Sequence, residues 1–113
     1  MVKAVLYREG EDLTAFRAEG HSGWAESGSD IVCAAVSILT VTCINSLESV
    51  CGVIPNITAH NEEKGILAFE LPERTAADDE KAQILMKALR QGLEDLAEEY
   101  PQNVTLSIKE RRK

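Results

Sequence analysis

The feature that most limits how this chain can fold is an uncharged stretch from Ile31 to Leu47. It predicts a helix over about residues 30–51. The stretch is shorter than the ~20 predominantly apolar residues of a membrane-spanning helix and contains Ser37, Thr40 and Asn45. We therefore expect a buried helix and no membrane segment. Because the helix is apolar on nearly all sides, its outer side should meet a second helix or a partner subunit.

The segments on either side of this helix predict two β-hairpins. Residues 2–8 and 12–19 are rich in Val, Leu, Tyr and Phe and are separated by a short turn. Residues 53–60 and 65–71 form the second pair, and Pro55 indicates that the first of these strands lies at a sheet edge or carries a bulge.

A second helix and a last strand complete the predicted fold. The segment Thr75 to Asp78 has the pattern of a helix start, and Pro101 ends the helix. Its apolar face is predicted to contain Leu85, Leu89, Leu93, Leu96 and Tyr100. Residues 104–109 alternate between apolar and polar, which indicates a half-buried strand. The order β-β-α-β-β-α-β predicts an α+β fold in which residues 1–113 form a single domain, with a mixed or antiparallel sheet packed with two helices.

The charge of the chain restricts its partners. A net charge of −7 and an isoelectric point near 4.8 argue against direct binding to nucleic acid and favour a basic partner. Charged residues such as Lys3 and Arg8 interrupt any N-terminal signal peptide, so we expect a cytoplasmic protein.

The three cysteines and two histidines predict neither a disulfide nor a metal site. Cys33, Cys43 and Cys51 all fall on the predicted helix, where the closest pair would be about 12 Å apart, too far for a disulfide. The sequence contains no Cys-x-x-Cys or His-x-x-x-His spacing. We expect no cofactor, and we expect Cys43 and Cys51 to be packing residues.

Cys33 differs from the other two cysteines because it follows a glycine-rich loop and lies near the predicted helix start. Unpaired N–H groups and the helix dipole favour a thiolate at that position, and the same N–H groups can bind an oxyanion. Cysteine is also among the residue types most often buried in protein cores. Two interpretations therefore stand for Cys33, a nucleophile and a core residue.

Two residues before Cys33 are candidates to assist it. His21 could act as the general base that activates the thiol and later protonates a leaving amine, or it could cap a strand. Asp30 could cap the helix, orient His21, or do both. The second histidine, His60, is a competing base that we expect to be exposed and to take no part.

Other residues near this pair are candidates for binding a substrate. Ser37 lies one turn after Cys33 and could hydrogen-bond near the site or bond to its own helix backbone. Trp24 could cover an apolar substrate side chain or close the core. The remaining candidates belong to the glycine-rich loop: Gly20, Ser22, Gly23 and Gly28.

The segments Gly20-His21-Ser22-Gly23 and 28–37 resemble the signature of the ribosomal-processing cysteine protease family, known as Prp or YsxB-like. Ser22 stands where that pattern usually has Ala. The resemblance implies that Cys33 is the nucleophile and His21 its base. It also implies a cytoplasmic homodimer that cleaves a basic ribosomal-protein precursor, removing the N-terminal extension of the twenty-seventh protein of the large ribosomal subunit.

Two other functions are compatible with the same residues. One is a non-catalytic module that binds the ribosome or a precursor, in which Cys33 only packs. The other is a thiol-dependent acyltransferase with the same Cys-His pair.

Overall fold

The structure, a computed structural model, describes residues 1–20 and 29–111, without the side chains of Ser29 and Asp30. Its elements in chain order are β1 (Val2–Glu9), β2 (Asp12–Glu19), α1 (Ser29–Ser49), β3 (Asn56–Asn61), β4 (Ile66–Glu70), α2 (Ala76–Glu99) and β5 (Val104–Glu110). This order confirms the predicted α+β fold.

The strands form one five-stranded sheet in the order β3-β4-β2-β1-β5. The pairs β1–β2, β2–β4 and β3–β4 are antiparallel, and β1–β5 is parallel. Helix α2 carries the chain over the sheet from β4 to β5, and a crossover helix of this kind connects parallel strands. The prediction of a mixed sheet packed with two helices is therefore confirmed.

Side chains of both helices pack against one face of the sheet. Alternate residues of β1, namely Val2, Ala4 and Leu6, point into this core, as the twofold period of a strand requires. Phe16 and Phe69 lie at its centre, with their ring centroids 5.7 Å apart. We call this side of the sheet the helix-facing side.

Helix α1 buries one stripe of side chains and exposes another. The buried stripe recurs at intervals of three and four residues: Val32, Val36, Thr40, Cys43 and Leu47. The hydroxyl of Thr40 donates a 2.7 Å hydrogen bond to the carbonyl of Val36, which satisfies this polar group inside the core. The prediction of a buried helix is confirmed for this side.

The outer side of α1 meets α2 over part of its surface, in agreement with the prediction of a contact with the second helix. Leu39 meets α2, where a Cβ atom on Gly92 would clash with the Leu39 methyl groups. Ile31, Ile38 and Val41, however, remain exposed. By length and composition alone, α1 is the one helix in the described part of the chain that could cross a membrane. We interpret it as a core helix because its inner stripe packs on the sheet.

The end of α1 explains why the second hairpin starts later than predicted. Gly52 has a φ of 68°, and its N–H donates to the carbonyl of Glu48. The N–H of Val53 donates to Leu47, so Val53 completes the helix cap instead of starting a strand. Pro55 has no N–H to donate, and β3 begins directly after it.

Helix α2 begins as the sequence predicts, but its buried face is shifted. The Thr75 hydroxyl accepts a 3.2 Å hydrogen bond from the Asp78 N–H, which confirms the predicted cap. Ala82 and Met86 are fully buried, whereas Leu85 is only partly buried. Packing against both α1 and the sheet, which the periodicity of α2 alone does not specify, moves the buried stripe.

A buried glutamine joins α2 to the sheet. The Gln83 side chain accepts a 2.8 Å hydrogen bond from the Leu13 N–H and donates a 2.9 Å bond to the Leu13 carbonyl. Gln83 therefore satisfies the backbone N–H and carbonyl of Leu13, which lies beside the register shift in the β1–β2 pairing. No sequence motif indicated this role.

We expect Gln83→Ala to lower the free energy of unfolding by about 1–3 kcal/mol, because it leaves both backbone groups of Leu13 buried without partners. Urea denaturation measures the effect. Gln91→Ala is the matched control on the same helix, because Gln91 is exposed and its side chain donates a hydrogen bond to Asp95 on the helix surface. Its effect should stay within about 0.5 kcal/mol. Equal stability losses in the two variants would contradict the role of Gln83.

Candidate active site

Cys33 lies at the start of the second turn of α1. The helix begins at Ser29, one residue earlier than predicted, so Asp30 falls inside the first turn and is not the residue that precedes it. Side chains on a helix tilt toward its N-terminus, so the Cys33 side chain leans toward the turn whose N–H groups have no partner within the helix. Those N–H groups can stabilise negative charge on a thiolate or an oxyanion.

Cys33 is partly exposed and borders a groove with a volume of about 380 Å³. One wall is the face of α1 that carries Cys33, Ser37 and Val41, and Gly20, directly after β2, also lines the groove. The opposite wall comes from β3, β4 and their turn. The residues of that wall are His60, Asn61, Glu62, Gly65, Ile66 and Leu67.

Gly20 determines where the chain leaves the sheet for the glycine-rich loop. Its φ is 107°, and a Cβ atom there would clash with the carbonyl oxygen of Met1, so only glycine fits without strain. The loop thus begins directly after a residue that lines the groove. It ends one helical turn before Cys33, which lines the same groove.

The predicted residues of that loop, namely His21, Ser22, Gly23, Trp24 and Gly28, lie outside the described residues. Their roles stay predictions, as do those of Asp30 and Ser37. What the structure contributes is the placement of Cys33, Ser37 and Gly20 around one groove.

His60 lines the same groove, a position that the sequence analysis missed. It was expected to be exposed and is, with 58% of its side chain accessible. A register shift between Ile57 and Ala59 inserts one extra residue into β3. Ile57 pairs with Phe69 and His60 with Leu67, so the bulge keeps both on the helix-facing side. A regular strand would have turned His60 to the other side.

Pro55 is the one sequence signal that pointed toward this feature. It predicted an edge strand or a bulge, and β3 is both an edge strand and bulged. The position of the bulge depends on pairing with β4, which the sequence of β3 does not reveal.

The other two cysteines lie in environments that suppress reactivity. Burial, together with the nearby Cys51 thiol, raises the pKa of Cys43 to about 12. Cys51 is buried just beyond the end of α1, whereas the sequence placed it on the helix. None of the three cysteines is in a disulfide. Within the described ranges, no cluster of His, Cys, Asp and Glu has the arrangement of a metal site.

Comparison with known proteins identifies a family and a sequence relative. A family model described as cysteine protease Prp matches residues 1–105. The ribosomal processing cysteine protease Prp of Bacillus subtilis (strain 168) is 28% identical over 109 residues, which cover 95% of this chain and 96% of that protein.

Two solved structures share the fold. The crystal structure of SMU.848 from Streptococcus mutans is 34% identical, with a TM-score of 0.87, and the match covers 98% of this chain and 96% of that one. The ribosomal processing protease Prp from S. aureus in complex with a substrate peptide is 22% identical, with a TM-score of 0.83, and the match covers 96% and 100%. At that identity the second structure supports the fold alone.

We expect Cys33 to react with iodoacetamide faster than Cys43 and Cys51 at neutral pH, because the other two thiols are buried and Cys43 has a raised pKa. Mass spectrometry of digested, time-quenched samples gives the rate at each cysteine. Labelling in denaturant, where the three rates should converge, is the control.

Replacement of His21 by Ala tests whether exposure alone accounts for the faster reaction of Cys33 with iodoacetamide. If the imidazole activates the thiol, the Cys33 rate should fall in His21→Ala while the other two rates stay unchanged. An unchanged Cys33 rate would contradict the assignment of His21 as the base.

Proposed function

We propose that this chain, which belongs to the cysteine protease Prp family, removes the N-terminal extension of the twenty-seventh protein of the large ribosomal subunit during ribosome assembly. The observation that carries the proposal is the position of Cys33 beside a groove that the glycine-rich segment borders at its start. A peptide lying in that groove would pass the thiol. The sequence relative that acts in ribosomal processing matches nearly the whole length of this chain.

The chemistry follows from a thiol and an imidazole brought together. His21 takes the proton from Cys33, and the thiolate attacks the carbonyl carbon of the scissile peptide bond. N–H groups at the start of α1 stabilise the resulting oxyanion. The C–N bond then breaks, the leaving amine takes the proton from His21, and water hydrolyses the thioester to release the carboxylate product and regenerate the thiol.

The surface charge of the chain suits a basic substrate. Its net charge is −7, and ribosomal proteins carry a high positive charge because they bind RNA. Long-range attraction therefore favours encounter with the precursor at low ionic strength. The same charge opposes direct binding to nucleic acid. We place this reaction in the cytoplasm, where ribosomes assemble.

A non-catalytic module that binds the precursor is the second candidate. One observation favours it, since Cys33 packs against the hydrophobic core as well as bordering the groove. In that case the thiol would only fill space, and the groove would hold the extension without cleaving it.

We expect Cys33→Ser to reduce cleavage of the extended precursor by more than roughly a thousandfold, because serine is a far weaker nucleophile without a tuned base. Mass spectrometry of the precursor, incubated with wild type and variant, reports both the rate and the bond that is cut. Cys51→Ala, which removes a buried thiol outside the groove, is the control and should retain activity if folded. Turnover by Cys33→Ser at the wild-type rate would contradict Cys33 as the nucleophile, whereas an intact precursor after incubation with wild type would favour the binding module.

We also propose that the active form is a homodimer joined through the outer face of α1, which we define as Ile31, Ala34, Ile38 and Val41. These exposed residues follow a three-four spacing, the pattern of a helix that packs against another helix. The face contains no charged residue, so two copies with a charge of −7 each can meet there without placing like charges in contact. Val41 also lines the groove, which brings the partner close to Cys33.

Replacement of Ile38 by Glu should shift the protein toward monomer, because it places a charge at the centre of this apolar face. Sedimentation equilibrium over a range of concentrations measures the change, expected to be at least tenfold in the dissociation constant. Ile54→Glu is the matched control, since Ile54 is 63% exposed against 67% for Ile38 but lies beyond the helix end. A dimer that both variants weaken equally, or that neither weakens, would contradict this interface.

A further inference from the structure

Glu62 is the only carboxylate on the described part of the groove wall, and no Lys or Arg borders the groove there. The other described lining residues are apolar, small or uncharged, apart from the titratable groups Cys33 and His60. The described part of the groove therefore carries a single fixed charge, and it is negative. Glu63, the residue after Glu62 in the chain, does not line the groove.

The turn that carries Glu62 is held in a defined shape. The Asn61 side chain accepts a 3.0 Å hydrogen bond from the Lys64 N–H. The Gly65 N–H donates a 3.2 Å bond to the Glu62 carbonyl, and Gly65 adopts a φ of 63°, which closes the turn into β4. The backbone of Glu62 is thus fixed relative to the sheet, and its carboxylate is presented from a rigid support.

The side chain of Glu62 is available to a ligand, because 90% of it is exposed. Its Oε1 atom lies 4.0 Å from Nε2 of His60, so both groups face the same space. On the inner part of the wall, Leu67 and Ile66 provide apolar surface. An acidic tip above an apolar wall suits a side chain with an aliphatic stem and a cationic end.

We propose that Glu62 forms a subsite for a lysine or arginine side chain of the peptide, within a few residues of the scissile bond. The inference rests on the proposed function and names a specificity determinant for it. Cys33 and Glu62 border one groove, so a peptide extended past the thiol brings a nearby side chain to the carboxylate. His60 lies beside the carboxylate, with 4.0 Å between Nε2 and Oε1.

Steady-state kinetics with a peptide series test the proposal. The peptides carry Lys, Gln or Glu at each position flanking the scissile bond, one substitution at a time. At one position, wild type should prefer Lys over Gln by about two- to fivefold in KM with kcat unchanged, the range of an exposed ion pair. The preference should decrease as salt increases.

Three variants test whether Glu62 itself, and not the general acidity of the turn, causes the Lys preference. Glu62→Gln should abolish the Lys preference and its salt dependence, whereas the matched control Glu63→Gln should keep both. Glu62→Lys should reverse the preference, so that the Glu peptide has the lower KM. A Lys preference that both Gln variants lose equally, or that neither loses, overturns the subsite.

Binding to inactive protein separates this inference from the proposed function. Fluorescence anisotropy measures the affinity of labelled Lys and Gln peptides for Cys33→Ser, alone and combined with Glu62→Gln or Glu63→Gln. If the Lys peptide binds more tightly and only Glu62→Gln removes the difference, the subsite stands even where wild type cleaves nothing. Equal affinities for the two peptides in Cys33→Ser overturn the subsite even where wild type cleaves them all.

Discussion

The packing of α1 on the sheet is the interaction on which the rest of this structure depends. Val32 and Val36, on either side of Cys33 along the helix, are almost completely buried against the strands. Burial of each such side chain contributes on the order of 1.5–3 kcal/mol, so the helix cannot rotate or slide without losing several of these contacts. Cys33 is thereby held at the edge of the core, where it is open to the groove. It lies close enough to the helix start for the N–H groups there to stabilise negative charge on a thiolate or an oxyanion.

The same sheet that holds α1 also sets the opposite wall of the groove. The bulge in β3 shifts the register by one residue and so places His60 on the helix-facing side, next to Leu67. The turn after β3 then carries Glu62 to the end of that wall. A single inserted residue in an edge strand therefore decides which polar groups a peptide would meet when it passes Cys33.

Charge and apolar surface are distributed for different purposes in this chain. Acidic residues outnumber basic ones, 19 to 12, and give the surface a long-range attraction for basic partners. The outer face of α1 has no charge and exposes Ile31 and Ile38, which suits contact with a second apolar surface. The proposed attraction of a basic substrate therefore depends on the charged surface, and the proposed dimer contact depends on this uncharged face.

Much of the fold could be predicted from the sequence because the signals are local. The hydrophobic periods located both helices and all five strands, Thr75 and Gly52 marked helix ends, and the loop before Cys33 singled out that thiol from Cys43. The family resemblance rests on the same short segments.

Contacts between residues far apart in the chain could not be read in this way. The strand order, the pairing of Gln83 with Leu13 and the arrival of His60 beside the Cys33 groove all depend on register and packing between elements. Alternative registers preserve the same local pattern and differ only in which side chains they bury. The sequence by itself therefore determined the elements and the candidate nucleophile, and the tertiary structure decided what faces that thiol, because only packing energy selects among the registers that local patterns allow.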